Sequence, residues 1–173
     1  MRRSFIGLLL AAPLLPAAAA AEVLEVAAAQ LVVLEEEEED PQVFMRFDLS
    51  GLREGPGRFV VSAVLDWTIP GISGEERTEY VLQEVMETWD EASLQSEPPA
   101  LSESTLDWDL EPRDVARIGS RVRFNVTSIV RAWAGEAETN HGIMISTGAV
   151  SAGGLRAAAG NAKLTVRYAF GGE

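Results

Sequence analysis

Cysteine is absent from this chain of 173 residues. That removes disulfides, thiolate metal sites and a thiol for lipid attachment, so the fold has to rest on packing alone. Histidine occurs once, as His141 in an Asn140-His141-Gly142 turn. A Ser-His-Asp triad needs a positioned base, and a zinc site needs three or four nitrogen, sulfur or carboxylate ligands. One turn imidazole serves neither, and it reads as an exposed turn residue. No serine sits in a G-x-S-x-G elbow, and there is no G-x-x-x-x-G-K-[ST] or G-x-G-x-x-G phosphate loop. Gly153-Gly154 falls in an Ala/Gly-rich loop with no phosphate motif after it. No internal repeat is present.

Basic residues are scarce: 14 Lys and Arg stand against 27 Asp and Glu, a net charge of −13. Nucleic acid demands a basic surface, so it is excluded as a partner, and anionic lipid with it. Strongly anionic polysaccharide is repelled too unless a cation or a local basic pocket intervenes. Long apolar runs are also missing. The longest, Phe5 to Leu15, follows the basic Met1-Arg2-Arg3-Ser4 and precedes the small residues Pro16 to Ala21. This is the layout of a secretory leader, expected over residues 1–21 with cleavage near Ala20 or Ala21. A bilayer span needs roughly 20 apolar residues, and Pro13 and Pro16 interrupt this run. Arg2-Arg3 leaves both general and twin-Arg export open. Losing the leader removes two basic and no acidic residues, taking −13 to −15. The mature chain, 22–173, is expected to be one domain, secreted or periplasmic, with no membrane insertion.

What the mature chain does have is period-two alternation. Val43, Met45, Phe47 and Leu49 face one way and Phe44, Arg46 and Asp48 the other. Phe59, Val61, Ala63, Leu65 and Trp67 form one face of a second strand. Leu31 to Leu34 suits a buried strand, whereas Val23 to Gln30 is compatible with strand or helix. Tyr80 to Met86 is a weaker strand, with apolar residues on both faces. Leu106, Trp108 and Leu110 alternate with acids, and Pro112 to Ser120 reads as loop. Arg121 to Thr127, Ile143 to Ser146 and Leu164 to Phe170 complete the strands. Thr127 is a candidate N-cap for a short helix, Ser128 to Trp133, whose Ile129, Val130 and Trp133 lie at helical spacing. Gly135 stops it. Many short strands, one short helix and no βα alternation predict an all-β, antiparallel, jelly-roll-like β-sandwich.

Glu35 to Asp40 is an unbroken run of six acids. Such a run is a solvated loop. Calcium is the one cation it brings to mind, but calcium loops space their acids so that several oxygens converge, and no cofactor is expected. Asp90 with Glu91, or Asp107 with Asp109, are carboxylate pairs of the kind glycosidases use, though nothing marks either for a raised pKa. Asn125-Val126-Thr127 matches the N-glycosylation pattern but lies in a strand behind a bacterial-type leader. Each of the four tryptophans fits a core position or a stacking platform for pyranose rings. Trp67 and Trp133 lie on apolar faces and read as core. Trp89 and Trp108, beside Asp90, Glu91, Asp107 and Asp109, are the candidates for a ligand surface, with core burial as the alternative.

The succession Phe44 to Ser50, Val61 to Trp67, Trp89-Asp90-Glu91, Phe124 to Thr127, Trp133, Asn140-His141-Gly142-Ile143 and Leu164 to Tyr168 resembles the DNRLRE-type domain, also grouped as carbohydrate-binding module family ninety-six. It covers about residues 43–170. The resemblance implies a jelly-roll-like sandwich of secreted bacterial proteins, non-catalytic and often attached to polysaccharide-degrading enzymes. It matches Arg46 and Glu91, either as ligand contacts or as an ion pair pinning the loop to the sheet. The chain departs from the pattern early. An Ala-rich and then acidic stretch, Val26 to Asp40, replaces an early Asp and Asn-x-Gly loop, and Gln42 stands where a basic residue is expected. The expectation is therefore a carbohydrate-binding protein using Trp89, Trp108, Asp90, Glu91 and Arg46, with polysaccharide as partner. The alternative is a structural or interaction protein of the envelope or extracellular matrix, binding an envelope protein and no sugar. Exposed indoles beside a groove mark the first, and buried indoles under an acidic surface the second.

Overall fold

The computed structural model describes residues 21–35, 39–52, 58–69, 80–102, 115–118, 121–135, 139–148 and 150–170. Eight strands, β1 (Glu22–Leu34), β2 (Gln42–Phe47), β3 (Arg58–Thr68), β4 (Val81–Glu84), β5 (Val115–Ile118), β6 (Arg121–Asn125), β7 (Ile143–Ser146) and β8 (Ala162–Phe170), hydrogen-bond in the order β4-β7-β2-β1-β8-β3-β6-β5. The described ladders are all antiparallel. β1 belongs to two layers. Its first half, Glu22 to Ala27, pairs with β8, and its second half, Ala28 to Leu34, pairs with β2, with a bulge at Ala29 between them. The ladder set is therefore a sandwich: β1-β8-β3-β6-β5 forms a first sheet and β4-β7-β2-β1 a second. Consecutive strands from β2 to β4 and from β6 to β8 alternate between the sheets, the jelly-roll-like connectivity expected for the class.

Inward residues of both layers meet in one core. Ala63, Leu65 and Trp67 of β3, Val122 and Phe124 of β6 and Leu164 and Val166 of β8 face Val43, Met45 and Phe47 of β2, Leu82 of β4 and Ile143 and Ile145 of β7. Each Val, Leu, Ile, Phe or Met among them, when fully buried, contributes about 1.5–3 kcal/mol, and with no disulfide this burial carries the fold. Trp67 and Trp133 are core, as their apolar faces predict.

Three features of the sequence reading need correction. The first is the helix count, since three α-helices stand among the described residues where one was expected. Between Trp89 and Pro99, where no helix was expected, α1 (Glu91–Ser96) is started by a reciprocal cap: Asp90 accepts from the Ser93 N–H, and the Ser93 hydroxyl accepts from the Asp90 N–H. The Ala/Gly-rich stretch forms α3 (Ala152–Ala158), capped by Ser151 and anchored by buried Leu155. The expected helix, α2 (Thr127–Gly135), is present, but the Thr127 hydroxyl does not cap it. That oxygen accepts from the Ala63 N–H of β3 at 2.9 Å, while Asn125 Oδ1 takes the Thr127 N–H. α2 ties the layers together: Trp133 donates its indole N–H to Glu84 of β4, and Arg131 donates to the Val60 and Val61 carbonyls of β3.

The second is in the stretch read as loop from Pro112 to Ser120, where Val115 to Ile118 form the edge strand β5 because β6 offers them a free ladder. The third is the face of β3. A bulge between Val60 and Ser62 shifts the register on β8, so Val60 turns inward with Ala63 while Phe59 and Val61 are 53% and 42% exposed. A one-residue slip reverses every side chain beyond it. The expected strand through Leu106, Trp108 and Leu110 and the leader before Ala21 lie outside the described residues.

Candidate functional site

The outer face of the second sheet carries the residues singled out for a ligand. Alternation along β2 puts Phe44, Arg46 and Asp48 on this side, as expected. Phe44 is nevertheless fully buried, because the segment closed by the Val85–Leu101 bridge folds back over it. Phe44 and Met144 form a second small core with Val85, Trp89 and Leu94, packed on by Val32, Leu34 and Leu101.

Trp89 is the centre of that cover and is not a stacking platform. It is 4% exposed, meets Phe44 edge-on at 5.8 Å and donates its indole N–H to the His141 carbonyl at 2.6 Å. The Arg46 guanidinium lies 4.8 Å from the ring centroid and donates to the Trp89 carbonyl at 2.7 Å. Arg46 does pin the loop to the sheet, but through the ring and backbone of Trp89; among the described residues it forms no ion pair with Glu91. Asp90 is the α1 cap. The Ser93 N–H that it accepts holds its carboxyl below the usual carboxylate range. Glu91 faces a groove of about 250 Å³ with Arg156, Ala159 and Leu31 to Val33, and Arg156 pairs with Glu35 at 3.3 Å. Trp108, Asp107 and Asp109 lie outside the described residues. Of the five candidates, the fold thus joins Arg46 and Trp89, places Asp90 and Glu91 at the adjoining helix start, and leaves Trp108 undescribed.

Beside this cover, where it ends, a groove of about 260 Å³ opens on the β1 bulge. Ala29, Arg46, Asp48, Ser50 and Asn140 line it, with Phe47 and Leu49 beneath. Asp48 accepts from the Ser50 N–H and Asn140 donates to the Phe47 carbonyl. Arg46 Nε and Asn140 Oδ1 are buried with no hydrogen-bond partner, a condition few native polar atoms show. The turn holding Asn140 is fixed by Gly142, whose φ of 105° suits glycine and whose missing Cβ leaves room for the Met45 carbonyl. A cation, a carboxylate, a hydroxyl and an amide side by side are the groups that bind a polyhydroxylated ligand. Sequence reasoning missed Asn140, Asp48 and Ser50 as site residues: Asn140 read as part of a turn and Asp48 as a strand position.

The first sheet offers a different surface, which sequence reasoning missed. Phe59 borders a groove of about 320 Å³ with Arg58, Arg131, Ala134 and Gly135. Arg58 lies 5.0 Å from both the Tyr168 and Phe170 ring centroids. No Gly or Pro marks the bulge that turns Phe59 outward, so no local cue predicts it. Among the described residues, no group of three His, Asp or Glu is placed to hold a metal, and no helix is long and apolar enough to cross a membrane. No protein-family model matches the chain, and no curated protein matches it.

Proposed function

We propose that this chain is a non-catalytic interaction module of the bacterial envelope or extracellular matrix, a β-sandwich that works by presenting surfaces. One observation carries the reading: of the two indoles singled out for a sugar, the one among the described residues, Trp89, is sealed beneath its own loop with its N–H satisfied by the protein. The outer side of the second sheet is an acidic, self-covered surface, the condition stated for a scaffold. The sandwich itself does not decide between binding and structural roles, because function lives in sites placed on folds.

A second reading, a secreted carbohydrate-binding module, is favoured by the groove of Arg46, Asp48, Ser50 and Asn140. A glycan and polysaccharide screen, with and without calcium, separates the two. The scaffold reading expects no glycan binding in either condition. Glycan binding abolished in Asn140→Ala or Ser50→Ala, with unchanged melting temperature, would replace it with the carbohydrate reading.

A further inference from the structure

The two outer faces of the sandwich carry opposite charge. On the first sheet the exposed outward positions include Arg121 and Arg123 of β6 and Lys163 and Arg167 of β8. Only Asp66 and Glu25 oppose them among the described residues, paired to Arg121 and Arg123 and to Lys163 respectively. Counted over the described residues, this face is net positive in a chain of net charge −13. The cover of the second sheet, residues 85–102, contains no Lys or Arg at all and exposes Glu87, Asp90, Glu91 and Glu97. The exposed large apolar side chains follow the same division. Val23, Phe59 and Val61 border the positive face, and Met86 sits on the acidic cover.

We infer that the positive face of one copy docks on the acidic cover of a second copy. This rests on the scaffold reading and names its partner. Charge complementarity selects the occupant, since the surface that matches the positive face is present on every molecule. The patches differ, so the contact is heterologous, and each added copy leaves one face of each kind open. Association then grows as a stack instead of closing as a dimer. The area suits a weak contact. Five strands about 4.8 Å apart and a nine-residue β8 rising about 3.3 Å per residue give a face of roughly 600 Å², just below the ~800 Å² per partner of a standard interface.

Sedimentation velocity and light scattering on the intact protein test this at about 0.01 M and about 1 M salt, where the screening length runs from about 30 Å to about 3 Å. Species beyond the dimer are expected at low salt, increasing with concentration and reverting to monomer at high salt. Arg123→Glu/Arg167→Glu and Glu91→Lys/Glu97→Lys are expected to stay monomeric alone, and to associate when mixed, because the mixture restores complementary faces. All four positions are exposed, and melting curves confirm that the variants fold. A monomer at low salt at every concentration overturns the inference, as does a closed dimer, association unmoved by salt, or double variants that associate like the parent. A monomer that still captures an envelope partner overturns stacking and leaves the scaffold reading standing. Glycan binding with no self-association overturns both.

Discussion

Trp89→Ala distinguishes a structural indole from a ligand platform, and the structure sets its cost. The side chain is 4% exposed, so removing it empties a cavity between Phe44, Leu94 and the Arg46 guanidinium. Trp→Ala at a buried site costs about 3–5 kcal/mol. The change also strips the His141 carbonyl of its 2.6 Å donor and takes the ring from under Arg46. At about 2–4 °C per kcal/mol for a chain of this length, a loss near 4 kcal/mol lowers the melting temperature by roughly 8–16 °C. In urea, with a slope of about 2 kcal/mol/M, the midpoint falls by roughly 2 M. Trp89→Phe keeps one ring but loses the N–H and the fused five-membered ring, so the penalty of an unsatisfied carbonyl, about 1–3 kcal/mol, is its minimum expected cost. A double-mutant cycle with Arg46→Ala should return a coupling of about 0.5–2 kcal/mol, since the guanidinium engages both the ring and the carbonyl of Trp89. Circular dichroism and urea titration read the parent and all four variants. If Trp89→Ala costs less than about 1 kcal/mol, the indole is not holding the cover and the reasoning fails. Strong acrylamide quenching of its fluorescence in the native protein would refute it just as directly.

Further outcomes follow from single contacts. Gly142→Ala meets the Met45 carbonyl and a φ of 105°, so it should destabilise by more than about 1 kcal/mol, seen as a lower melting temperature. At the β3 bulge, Phe59→Ser is expected to shift stability by no more than about 0.5 kcal/mol and Val60→Ser by several times that; the reverse ranking would place Phe59 in the core. The Asp90 carboxyl is held below its ordinary value by the Ser93 N–H. Its contribution is therefore present above about pH 3.9 and lost as pH falls through the folded value. Asp90→Asn should keep the cap while removing that acid-sensitive part from a pH-dependent melting series. The Tyr168 hydroxyl donates to Glu22, which raises its pKa. That contribution holds below about pH 10 and disappears as pH rises further, so Tyr168→Phe should flatten the alkaline limb of the same series.

Where local periodicity decides, the sequence is readable. Alternation along β2 and β6, the apolar stripe of α2 and the inward Trp67 and Trp133 all follow from the spacing of side chains on one element. Where a long-range partner decides, it is not. β1 serves two sheets because β8 and β2 claim successive halves of it, and an Ala-rich apolar run contains no mark of that exchange. Phe59 faces outward because β8 pairs with Val60 and then Ser62, skipping Val61. α1 begins at an Asp-x-x-Ser box that is visible once sought, while α3 relies on one Ser cap and one Leu in a stretch whose composition also fits a loop.

Trp89 shows why the candidate site was harder to read than the fold. Its chain neighbours Asp90 and Glu91 are exposed, and local polarity therefore suggests an exposed ring. Those carboxylates point away because Asp90 is needed to start α1, and α1 in turn carries Leu94 down onto Phe44 beside the indole. The acids and the buried ring thus belong to one device: a short helix whose apolar side seals the second sheet and whose polar side supplies the acidic surface. The same step that removes Trp89 from contact with a sugar creates the negative face, and the first sheet, left uncovered among the described residues, keeps its arginines and lysine in solvent. The charge asymmetry between the two outer faces is therefore a consequence of which sheet received a cover.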